Sequence, residues 1–182
     1  MPVTSDHVSH TIEALSALGF RPADGCDIVS ARSAAAALVG GDIATCATLR
    51  EVHAITGCAC FVARQKDRLV AMVSAIPLRR AAMAVLEAGA FDGIDPPRRL
   101  IARPTEPPAA FYIWGAAGLT WRGRRLALAA SIALRDEVYP DLPLYSRAAT
   151  ADGERVLQRR MGAVPIAGGL VRAAPRPWTV AA

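Results

Sequence analysis

Lysine is nearly missing from this chain: Lys66 is the only one among 21 lysines and arginines, in 182 residues with a net charge of +5. The basic character therefore rests on arginine, whose planar fork suits bidentate contact with phosphate or carboxylate, and an anionic ligand is expected. Biased codon usage accounts for an arginine and alanine excess equally well, so charge guides the choice of partner only weakly. Aromatic residues are scarce too, 5% against a hydrophobic total of 53%. The core should be small and aliphatic, and the stacking surfaces that single-stranded nucleic acid needs are few, which argues against nucleic acid as a partner. Cysteine is limited to Cys26, Cys46, Cys58 and Cys60, too few for a disulfide framework in a chain this long. Cys58 and Cys60 are two apart and would share one strand face with His53 upstream. No second ligand pair follows at metal spacing, so no metal is expected. No apolar run approaches the roughly 20 residues that cross a bilayer, so no membrane is expected. The N-terminal stretch carries Asp6 and Glu13 where a secretory signal would have a basic and then an apolar segment; the cytoplasm is the expected compartment.

What is present centres on residues 111 to 139, FYIWGAAGLTWRGRRLALAASIALRDEVY. Aromatic and branched residues open it, glycine and arginine follow, and an alanine- and leucine-rich run ends at Pro140, which reads as strand, turn and helix. The unpaired N–H groups and dipole of such a helix start attract phosphate, and Arg122, Arg124 and Arg125 add to the field. Gly115 and Gly118 inside the strand fit a bulge, a close ligand or tight packing on the helix.

Around this unit the pattern predicts one α/β domain over 1 to 182. A helical extension over 1 to 26 carries an amphipathic helix at 5 to 18 stopped by Gly19. A strand at 27 to 32 follows, then a helix at 34 to 39 capped by Ser33 and broken at Gly40-Gly41, then a helix from Asp42 as cap to Ile55. Residues 60 to 64 and 69 to 77 form a hairpin around Gln65-Lys66-Asp67-Arg68. A helix at 79 to 90 leads into a proline-rich loop at 93 to 108, a lid or a plain surface insertion. Past the central unit come a strand at 144 to 150, a helix at 153 to 161 capped by Asp152 and closed by Gly162, and a last hairpin around Ala167-Gly168. The tail at 173 to 182, with Pro175, Pro177 and Trp178, should lie on the surface or at the contact of a homodimer.

This order of elements resembles the GNAT superfamily of acyl-CoA-dependent N-acyltransferases, over roughly residues 27 to 172. Arg122-Gly123-Arg124-Arg125-Leu126-Ala127 is similar to the family's pyrophosphate loop, Q/R-x-x-G-x-G/A, and residues 152 to 163 are similar to its final helix. Three positions depart from the family pattern: Ala163 replaces the aromatic that usually closes the final helix, Arg125 stands at the loop's middle glycine, and Gln158 at a tyrosine that in many members protonates the departing thiolate. Glutamine cannot do so at neutral pH. The resemblance implies a mixed, mostly antiparallel sheet with helices on both faces and a splayed parallel strand pair, 111 to 118 beside 144 to 149, that binds acetyl-CoA or another acyl-CoA. It further implies cofactor contacts from Gly115, Leu119, Thr120, Arg122, Gly123, Arg124, Arg125, Leu126, Ala127 and Gln158. A backbone N–H of Ala116 or Ala117 would polarise the thioester carbonyl.

The implied reaction is direct transfer of an acetyl or short acyl group to a small-molecule or peptide amine. Glu106 and Glu87 are the candidate bases, and Tyr145 and Tyr112 the candidate proton donors. Ser146 has no histidine beside it in sequence, which disfavours a covalent route. The alternative is a GNAT-fold protein that binds CoA or a partner without catalysis. Acylation of charged tRNA, with phosphate contacts from Arg98, Arg99, Arg103, Arg159 and Arg160, is a third reading.

Overall fold

The first half of the chain is set by helix caps. A computed structural model describes residues 7–176, and in it α1 (His7–Ala17) ends at Gly19, whose φ of +83° suits glycine. A short β1 (Arg21–Pro22) follows, and α2 (Gly25–Val39) is one continuous helix where a strand at 27 to 32 was expected. The reason is the cap. Asp24 Oδ1 accepts from the N–H groups of Cys26 and Asp27 at 2.8 Å each, and Asp27 Oδ2 accepts from the Asp24 N–H at 3.1 Å. Asp27, 1% exposed, also meets Arg21 at 2.7 Å and Arg64 at 2.9 Å. These contacts commit residues 25 onward to helix and override the β preference of Ile28 and Val29; Ser33 lies inside the helix and caps nothing. In α3 (Cys46–Thr56) the cap is Thr45 rather than Asp42, with Thr45 Oγ1 accepting from the Thr48 N–H.

The hairpin of β2 (Cys60–Gln65) and β3 (Arg68–Leu78) turns where the sequence placed it, Lys66 and Asp67 taking positive φ as a two-residue turn requires. α4 (Ala82–Glu87) is shorter than the expected helix. The proline-rich loop is tied down by a 3₁₀ turn, Arg98–Leu100, and a bridge from Ile101 to Leu78. The chain then forms β4 (Ala110–Gly118), α5 (Trp121–Ala133) extended by a π-helical turn at Leu134–Val138, and β5 (Leu144–Ser146). Next come α6 (Ala151–Met161), β6 (Val164–Pro165) and β7 (Val171–Ala173). Thr150, not Asp152, caps α6, its Oγ1 accepting from the Gly153 N–H at 3.1 Å. The part of the tail with Pro177 and Trp178 lies outside the described residues.

Among the described residues the strands make one mixed sheet of seven in the order β1-β2-β3-β4-β5-β7-β6, antiparallel throughout except for β4 beside β5. Alternation along the strands divides the core in two. Phe61, Val73, Phe111, Ile113 and Leu144 pack on one face with Leu15, Ala127, Leu134, Leu157 and Met161, from α1, α5, its π-helical extension and α6. Val62, Met72, Ile76, Tyr112 and Tyr145 pack on the other with Ile28, Val52 and Leu86, from α2, α3 and α4.

Candidate functional site

β4 and β5 run side by side for only three residues. Phe111, Tyr112 and Ile113 pair with Leu144, Tyr145 and Ser146, and there β5 ends. At the parting, the Ser146 hydroxyl donates to the Ile113 carbonyl at 3.1 Å and closes the ladder. β4 continues through Trp114–Gly118 with β3 on one side and, among the described residues, no strand on the other.

The register says which groups face the open side. The Leu119 N–H reaches the Val70 carbonyl at 2.9 Å, and Met72 stands opposite Ala117. Hydrogen-bonded and non-bonded pairs alternate along an antiparallel ladder, so Leu119, Ala117 and Gly115 bond to β3. Ala116 and Gly118 turn their N–H and C=O groups to the open edge. Of the two alanines expected as carbonyl polarisers, Ala117 turns its N–H to β3 and Ala116 turns its N–H outward. A bulge makes the change of direction, since Ser74 opposes Gly115 and Ala75 opposes Ile113, leaving Trp114 as the extra residue. The Trp114 indole N–H donates to the Gly93 carbonyl, anchoring the start of the proline-rich loop beside the bulge. Gly115 and Ala116 are exposed, Ala117 is half-buried, and Gly118 is buried where α5 begins.

At the end of the edge the chain enters α5 after two residues, Leu119 and Thr120. Thr120 Oγ1 accepts from the Gly123 N–H at 2.9 Å as N-cap. Two glycines bring the helix start against the sheet. A Cβ on Gly118 would lie 2.0 Å from the Arg124 nitrogen, and one on Gly123 would lie 1.9 Å from the Val70 carbonyl oxygen. Of the three possibilities for Gly118, tight packing is the one realised. Arg122, Arg124 and Arg125 are exposed and make no ion pair with a carboxylate among the described residues. Arg125 sits in the second turn of α5, its guanidinium 4.9 Å from the centre of the Trp121 ring. That backbone is ordinary helix, so the position makes no demand for glycine. Leu126 is half-buried, and Ala127, expected at the ligand, points into the core at 4% exposure. Its small side chain lets α5 lie close to the sheet.

The groups expected to handle protons are elsewhere. Glu106 forms a fork with Arg79, both bonds 2.8 Å, and accepts the Arg103 N–H at 3.0 Å. The Arg103 N–H and then the Arg79 guanidinium hold it below the usual carboxylate range. Arg79 follows Leu78, which pairs with Ala110 at the start of β4. Ala116 lies six residues further on, about 20 Å at the rise of a strand. Tyr145 is buried and donates to Glu87 Oε1 at 2.5 Å, and Arg172 meets the same oxygen at 3.0 Å. Burial, with Glu87 second, pushes the Tyr145 phenol up to about 12, while the Tyr145 hydroxyl and then Arg172 hold Glu87 down. This network joins α4, β5 and β7 across 85 residues of chain, and no local pattern announced it. Tyr112 is buried against Phe91, ring centres 5.0 Å apart. Gln158 is exposed on α6 and donates to Glu154 Oε1 at 3.1 Å.

Cys58 and Cys60 do not share a face: Cys58 packs with α1 and α5, Cys60 with α2 and α3, and His53 Nδ1 accepts the Cys60 backbone N–H at 3.0 Å. Burial raises the Cys60 thiol to about 11, as suits an inert core residue. Arg98, expected to contact nucleic acid, is paired with Glu51 and Asp95, each at 2.5 Å. Depressions of about 600 and 640 Å³ lie near Arg79 and Met83 and near Cys26 and Arg50; neither includes a residue of β4 or α5. No helix among the described residues is long and apolar enough to cross a membrane. No family model matches this sequence, and neither curated proteins nor solved structures show a significant similarity to it.

Proposed function

We propose that this chain binds an acyl-CoA along the open edge of β4 and transfers its acetyl or short acyl group to an amine, as the resemblance to the GNAT superfamily implies. One observation carries the reading: a parallel strand pair that parts after three residues, leaving the exposed Ala116 backbone at the open edge of β4, which runs on into a helix start with three exposed arginines. Its donors and acceptors suit the amides of an extended pantetheine arm, as a strand added to a sheet edge would be suited. The first N–H groups of α5, with Arg122 and Arg124, suit the pyrophosphate.

The thioester supplies an activated carbonyl. The Ala116 N–H stabilises negative charge on that carbonyl's oxygen as the amine nitrogen attacks. The C–N bond forms, the C–S bond breaks, the thiolate carries away the electron pair, and the amine proton passes to solvent. Positioning is the chain's main contribution to rate, because Glu106, Tyr145 and Gln158 are engaged elsewhere. Titration calorimetry with acetyl-CoA at low salt should show one site per chain; no heat with any CoA thioester would end this reading. The same engaged side chains favour a second reading, CoA binding without catalysis. Release of free thiol from acetyl-CoA in the presence of an amine panel excludes it.

A further inference from the structure

Trp121 is 72% exposed, more than any other large apolar side chain among the described residues. Burying an indole removes 150 to 250 Å² of surface from water, and the fold forgoes that here although a polar residue would serve equally well at the first position of α5. The ring is nevertheless held in place. Arg125, one helical turn on, lays its guanidinium over one face at 4.9 Å from the ring centre, which leaves the other face open. Arg122 and Arg124 flank the ring in sequence, both exposed. Trp121 also lies directly beyond the open backbone edge, three residues after Gly118.

A pantetheine arm offers amides, a hydroxyl, aliphatic carbon and, at its far end, the thioester, none of which calls for a flat aromatic. The purine at the far end of CoA does. We infer that the free face of Trp121, with Arg125 bracing the other, is the platform on which the adenine of the acyl-CoA stacks. The inference rests on the acyl-CoA reading and adds the nucleotide end to it. The platform makes affinity depend on the nucleotide and leaves the acyl end to the β4 edge. Base stacking on an aromatic residue contributes enough to change affinity about tenfold.

The test measures the affinity of wild type, Trp121→Ala and Trp121→Phe for acetyl-CoA and for acetyl-pantetheine, which lacks the nucleotide. The residue is exposed, so both variants should keep the wild-type circular dichroism. Trp121→Ala should bind acetyl-CoA about tenfold more weakly and acetyl-pantetheine unchanged, with Trp121→Phe close to wild type. If wild type binds acetyl-CoA and Trp121→Ala binds it equally well, the platform is refuted and the acyl-CoA site stands. Equal weakening toward both ligands would make Trp121 a support of the edge and also refute it. If wild type binds neither ligand, both readings fall. Trp121-dependent binding of a single-stranded oligonucleotide in place of acetyl-CoA would assign the ring to nucleic acid and overturn the inference.

Discussion

Ala116 and Ala117 carry the same side chain, yet alternation along β4 turns the N–H of the first to the open edge and commits that of the second to β3. Proline removes an N–H, which an open strand edge tolerates and a paired position does not. Ala116→Pro should therefore fold with a native circular dichroism spectrum and slow the proposed acyl transfer at least about 100-fold, the cost of losing the proposed oxyanion donor. Ala117→Pro should lose on the order of 3 kcal/mol in a urea titration. Equal stability of the two variants would mean that the register is misassigned. The resemblance offered either neighbour as the proposed polarising group, and the contact that separates them, Leu119 meeting Val70, is remote in the chain. Tyr145 shows the limit of local reading: its residue type suits an acid, but its hydroxyl already serves Glu87. Its pKa rises from 10 to about 12 on folding, so the folded state holds the proton more tightly. That contribution to stability is fully present below pH 10 and is lost as pH rises through about 12. Tyr145→Phe should cost about 1–2 kcal/mol at neutral pH. Urea midpoints measured from pH 9 to 12 should fall less steeply in this variant than in wild type.

At the scale of elements, the join of β4 to α5 is where local sequence and tertiary packing agree. The order of strand, turn and helix and the stop at Pro140 are legible in sequence, because breakers act through neighbouring backbone, and the structure adds Thr120 as cap and Trp121 as first helical residue. The glycines divide by what they touch. A methyl group on Gly123 meets the Val70 carbonyl at 1.9 Å, whereas on Gly115 it finds no atom within 4 Å. Gly123→Ala should destabilise by about 3 kcal/mol as the helix start is pushed from the sheet, and Gly115→Ala by less than about 1 kcal/mol. Chemical denaturation of the two variants checks the contrast; similar losses would contradict the close approach of α5. The strand expected at 27 to 32 failed for an equally physical reason. Its apolar residues suit strand and helix alike, and the choice was made by Asp24 and Asp27, the latter held by Arg21 and Arg64 from β1 and β2.

At the scale of the molecule, the described residues form one sheet with helices on both faces, and β4 of its parallel pair runs on into the helix start that carries Arg122, Arg124 and Arg125. Arg122→Glu reverses charge where the pyrophosphate is proposed to sit, so acetyl-CoA affinity should fall by about tenfold or more at low salt, less so at high salt. Unchanged affinity in calorimetry would displace the proposed site from α5. The sequence by itself determined the α/β class, the hairpin, the order from β4 to α6, and the placing of arginine and glycine at one helix start. Those features follow from alternation, capping and turn geometry, which act over a few residues. Only the tertiary structure decided that Ala116 rather than Ala117 faces outward, that Ala127 is core, that Glu106 belongs to Arg79, and that Tyr145 belongs to Glu87. Each depends on register or on a partner 27 to 58 residues away. Nothing in local patterning records which hydrogen-bonding groups a distant strand has already satisfied.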